Sequence, residues 1–132
     1  MFHPKMQAFD KRMKEMFDEI DDVLEEKYGN RYPIHPNRPT RGATSNKAAD
    51  GLFNVGVQFT AGYGSELGRG YTVDMNIATL ENIPENERED LLLFTVELIQ
   101  EKLPIFFPEK NLTCARDRNL FKILGNFQLG TL

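Results

Sequence analysis

Two stretches of strict alternation constrain this chain more than any other feature. In the first, Phe53, Val55, Val57, Phe59, Ala61 and Tyr63 alternate with Asn54, Gly56, Gln58, Thr60 and Gly62. In the second, Tyr71, Val73, Met75 and Ile77 alternate with Thr72, Asp74, Asn76 and Ala78. A period of two gives a strand one apolar and one polar face. The connection GSELGRG is too short for the crossover that parallel strands require, so the two runs form an antiparallel pair with their apolar faces on the same side. Such a one-sided pair folds only if another part of the chain covers it.

Two helical patterns supply the cover. Met6, Phe9, Met13, Met16, Ile20 and Val23 recur every three or four residues, and Phe17 and Leu24 widen the stripe. This is an amphipathic helix, and Gly29-Asn30 provides its stop signal. Beyond the hairpin, Pro84 with Glu85, Glu87, Glu89 and Asp90 opens a second helix, because proline loses nothing at the first helical position and acids favour the positive end of the dipole. Leu91, Leu92, Phe94, Val96, Leu98, Ile99 and Leu103 follow on several faces, and Pro104 is predicted to close it. The remainder reads as two short strands, NLTCARD and LFKILGNFQLG, with Gly125 at a bulge or bend. The predicted order is therefore α-β-β-α-β-β: an α+β fold with two helices packed on one face of a four-stranded, mainly antiparallel sheet. At 132 residues, 40% of them apolar, residues 1–132 make one domain.

Composition then narrows the functional classes. The single cysteine, Cys114, excludes an intramolecular disulfide and a cysteine-based zinc cluster. His3 and His35 have no Cys, Asp or Glu at metal-ligand spacing, so no metal or cofactor is expected. No apolar run approaches the roughly 18 residues of a membrane span. The N-terminus mixes acids and bases where a signal peptide would be apolar. The expectation is a cytoplasmic protein with no membrane partner. A net charge of -4, with neither a ribonucleoprotein aromatic signature nor a zinc finger, argues against nucleic acid as a partner.

That charge is unevenly placed. Residues 30–51 hold three prolines and two glycines with almost no periodicity, and they read as a long, flexible loop. Arg31, Arg38, Arg41 and Lys47 against Asp50 give residues 29–50 a charge of +3, whereas residues 1–28 carry -3 and residues 81–110 carry -5. Loops of this length are commonly functional or disordered. The second unusual segment, Gly62 to Tyr71, contains Gly62, Gly64, Gly68 and Gly70, whose backbone N–H groups are free to converge on an anion. It is not a dinucleotide fingerprint, since position 67 is Leu and a strand follows, and no Gly-Lys-Ser/Thr of a phosphate-binding loop is present. Together the two loops predict a basic edge. Arg69, assisted by Arg38 and Arg41, would grip an anionic small molecule or an acidic protein surface, and Ser65 would add a hydrogen bond. This makes a non-enzymatic binding or protein-interaction domain the leading reading.

Two alternatives rest on other residues. Gly64-Ser65 followed by Asp74 in VDMNI resembles part of the nucleotidyltransferase pattern, in which a Gly-Ser turn binds the triphosphate and two alternating carboxylates hold magnesium. The resemblance implies a nucleotide-binding enzyme with phosphates at Gly64 and Ser65 and magnesium at Asp74. It extends only from Gly64 to Asn76, and the second carboxylate position is occupied by Asn76. The other alternative is a structural homodimer formed through helix 1, whose methionine-rich stripe would adapt to a second copy. On the hairpin, Asn54, Gln58, Thr60, Thr72, Asp74 and Asn76 project away from the apolar side, either to water or as a platform for a polar ligand.

Overall fold

The computed structural model describes residues 4–60, 70–117 and 120–125. Helix α1 (Pro4–Tyr28) is followed by the loop, which contains one 3-10 turn at Lys47–Ala49. Strands β1 (Phe53–Thr60) and β2 (Gly70–Ile77), helix α2 (Glu85–Phe106) and strands β3 (Thr113–Asp117) and β4 (Leu120–Leu124) complete the order. The α+β fold expected from the periodicities is present, and every strand pairing is antiparallel.

The sheet order is β1-β2-β4-β3. The α2 crossover therefore carries the chain past a vacant position to the far edge, and β4 returns to fill it. β1 and β2 pair along their whole length, from Phe53 opposite Ile77 to Thr60 opposite Gly70. Among the described residues β2 and β4 meet only at Tyr71–Ile123 and Thr72–Lys122, so the sheet is zipped along its β1 side and splayed in the middle.

The stripe of α1 lies inside the molecule: Phe9, Met13, Met16, Phe17, Ile20 and Leu24 are all buried in one cluster with Phe53, Val55, Val73, Leu91, Ile99, Leu103 and Ile123. α1 packs on β1 and α2, and α2 packs on β3. A helix-1 homodimer would need this same stripe, and the chain's own sheet already occupies it.

Two helix boundaries differ from expectation. Pro84 stands one residue before α2 as its N-cap. At the other end, Pro104 does not close α2, which runs on to Phe106. A proline in the last turn removes only its own N–H bond, and Phe107 still donates to the Leu103 carbonyl at 2.8 Å. Gly125 does stand at a bend just past β4, with φ +153° and Leu112 packed where a Cβ would project.

Candidate functional site

Residues 30–51 are not a loose basic edge. They are seated on α1 by charge complementarity. Arg41 is the centre: its Nη2 bonds Asp22 of α1, and its Nη1 reaches the Lys47 carbonyl at 2.9 Å and Asp50 Oδ1 at 3.2 Å. Lys47 pairs with the same Asp22. Asp50, the only acid of the loop, is fully buried and organises the turn, accepting the backbone N–H groups of Gly42 (3.2 Å) and Thr44 (3.1 Å) and the Thr44 hydroxyl (3.1 Å). Burial pushes the Asp50 carboxyl up, but the Thr44 N–H and hydroxyl, Arg41 and the Gly42 N–H outweigh it and hold the group below its ordinary value. Asp22 is likewise held low, its partial burial outweighed by Lys47 and Arg41.

Asp21, one residue before Asp22, has the opposite environment. Its side chain is buried at 1% exposure, and neither carboxylate oxygen has a hydrogen-bond partner among the described residues. Its counter-charge is Arg41, at 3.5 Å. Burial dominates: together with the neighbouring Glu25 and Asp22 charges it overrides Arg41 and raises the carboxyl to about 7.

A second clamp ties the loop to β1. Glu25 of α1 accepts the N–H groups of Leu52 (3.1 Å) and Phe53 (2.7 Å). Arg38 donates to the carbonyls of Gly51 (3.1 Å), Asp50 (3.2 Å) and Phe53 (3.3 Å). Phe53 thus has both backbone groups turned away from β2, while the Leu52 carbonyl accepts Ala78 N–H on the β2 side. In an antiparallel ladder this direction alternates with each residue. Asn54, Gly56 and Gln58 therefore bond to β2, and Val55 and Val57 present N–H and C=O outward. β1 is an edge strand, and among the described residues no backbone group from outside the sheet pairs with Val55 or Val57.

Those outward groups open into a groove of about 310 Å³ between β1 and α1. Met13, Phe17, Val55, Val57 and Tyr71 line its apolar side, while Asp10, Lys14 and Asp18 form its rim. Lys14 also reaches Asp18 (3.3 Å) and Asn46 of the loop (3.4 Å), which places the seated loop at one end of the groove. A smaller cleft of about 190 Å³ lies where β2 and β4 diverge, lined by Val73, Met75, Arg88, Leu92 and Phe121 among others.

The predicted site residues are thereby separated. Arg38 and Arg41 face inward, against the loop backbone and the acids of α1. Ser65 and Arg69, with Gly64, lie outside the described residues. Asp74 is exposed on the outer sheet face, in register with Gly56 and two residues from the equally exposed Asn76. Among the described residues no group of three His, Cys, Asp or Glu side chains is arranged to hold a metal ion. No helix of the described structure is long and apolar enough to cross a membrane.

Asp21 and the β1 edge are the features that sequence patterning passed over. Asp21 carried a signal, because it lies four residues after Phe17 and three before Leu24 and so interrupts the apolar stripe with an acid. The matching charges of residues 1–28 and 29–50, -3 and +3, carried another. The edge position of β1 had none, since it depends on where β3 and β4 enter the sheet.

A family model described as "Uncharacterised protein" matches residues 4–125. That span runs from the first residue of α1 to the residue after β4 and includes the loop and the groove. An "Uncharacterized protein" of Borreliella burgdorferi is 44% identical over 109 residues, which cover 83% of this chain and 85% of the relative. No solved structure matches the chain.

Proposed function

The chain belongs to the family that this model describes, and we propose that it is a non-enzymatic interaction domain that captures an extended peptide segment by strand addition to β1. The observation that carries the reading is the outward pair Val55 and Val57, two residues apart on an edge strand, at the mouth of a groove walled by a helix. Main-chain hydrogen bonds to a sheet edge supply affinity for any extended segment, and pockets for alternate side chains supply selectivity. Here the alternate side chains of the guest face the apolar lining of the groove at its half-buried residues Val57 and Tyr71, so the favoured guest carries apolar residues at every second position. A volume of about 310 Å³ accommodates one or two such side chains. The anionic-ligand reading gains no support from Arg38 and Arg41, whose guanidinium groups already bond to internal carbonyls and carboxylates.

Proline supplies the test. It is tolerated on an edge strand where its missing N–H would face outward, and not where the N–H joins the ladder. Val57→Pro should keep the far-ultraviolet spectrum and weaken binding of six-residue peptides with alternating Val or Ile by about tenfold or more. In a peptide titration of the parent protein followed by amide NMR, the Val55 and Val57 signals should move together. Undiminished binding by Val57→Pro would exclude strand addition. Signals that instead shift on dilution, with a matching change in light scattering, would assign the edge to a second copy.

A further inference from the structure

We infer that Asp21 is a proton-controlled latch for the 38–51 loop: the loop seats fully while Asp21 carries a proton and loosens as Asp21 ionises. The geometry is that of an acid with too few partners. Arg41 stands over Asp21, but the same Nη1 is nearer to Asp50 (3.2 Å) and the Lys47 carbonyl (2.9 Å), and the other arm is bonded to Asp22. Asp21 therefore shares one guanidinium, at 3.5 Å, with two other acids while its own oxygens are sealed from water. From its own helix it faces Asp22 and Glu25, both acids that oppose a second negative charge. Lys47 is engaged by Asp22, Arg38 by backbone carbonyls, and Lys102 of α2 meets Glu19. β1 offers no titratable side chain over Phe53–Gln58. Once ionised, Asp21 gains solvation only if the loop lifts and admits water.

The direction of the pH effect follows from linkage. The seated state binds the Asp21 proton up to about pH 7, whereas a lifted, hydrated Asp21 releases it near pH 4. Between these limits the lifted state binds fewer protons, so raising the pH favours lifting and lowering it favours seating. Above about 7 both states are ionised and the effect levels off. Asp22 and Asp50, both held low, titrate beneath this window and leave it to Asp21.

The latch stands whether or not the groove takes a peptide; its effect on capture rests on the strand-addition reading. Because Asn46 meets Lys14 at the groove and Arg38 caps the Phe53 carbonyl, lifting the loop would free that one further outward acceptor on β1.

Amide hydrogen exchange at Gly42, Thr44 and Gly51, corrected for the intrinsic pH dependence of exchange, reads the opening directly and without any guest. The expected result is an opening constant that climbs up to tenfold per pH unit between pH 5 and 6.5 and flattens near 7, with Asp21→Asn removing the climb. A flat profile in the parent protein, or an unchanged climb in Asp21→Asn, overturns the latch. Carboxyl NMR of the unmodified protein is independent of whether the variant folds: an Asp21 midpoint below 5 overturns it equally. Peptide affinity that ignores pH while exchange responds would overturn the coupling of the latch to capture and leave the latch itself standing.

Discussion

At the scale of single residues, the loop is governed by a few positions whose neighbours leave no alternative. Gly51 has φ +78°, and a Cβ there would lie 2.6 Å from a Glu25 carboxylate oxygen. That carboxylate has little room to retreat, since it holds the Leu52 and Phe53 N–H groups. Gly51→Ala therefore combines a left-handed backbone with the loss of a cap, and it should lower stability by about 2 kcal/mol. Urea denaturation measures this as a lower midpoint with an unchanged slope. Asp50 illustrates the same dependence from the side of charge. In the sequence it only subtracts one unit from a basic segment; in the fold it is the buried acceptor around which Gly42, Thr44 and Arg41 turn.

At the scale of elements, the parts with regular periodicity were legible and the contacts between distant parts were not. The hairpin could be read because alternation specifies a face and the short connection specifies its sense. α1 could be read because its stripe repeats at helical spacing, and Ile20, in the middle of that stripe, has no exposed surface. Ile20→Ala should cost about 3 kcal/mol, against near neutrality for Ile105→Ala, whose side chain is 72% exposed; thermal unfolding of the two variants separates them. In helix α2 chain chemistry alone predicts a stop at Pro104, and packing of Leu103 and Phe107 carries the helix past it. The loop departs further from what its sequence suggests. Its cations have no periodicity to interpret, and their partners Asp21, Asp22 and the Gly51 and Phe53 carbonyls become visible only when α1 and β1 are set side by side.

For the molecule as a whole, one core serves both helices and all four strands, so its exposure reports global unfolding. Cys114 faces that core on β3, and burial pushes its thiol up to about 11. The thiolate is the reacting form, so at pH 8 labelling by a thiol reagent should be slow and should accelerate in parallel with urea-induced unfolding. A rate independent of urea would mean that β3 opens by itself. The sheet order also has a consequence for synthesis. Chains leave the ribosome from their N-terminus and fold as segments become available. β1, β2 and α2 emerge early, yet the position beside β2 stays vacant until Leu120–Leu124 arrives, because β3 belongs on the far edge. Until then the nascent chain carries a hairpin open along both margins, and chaperone contact would fall on β2 and cease when β4 slides into place.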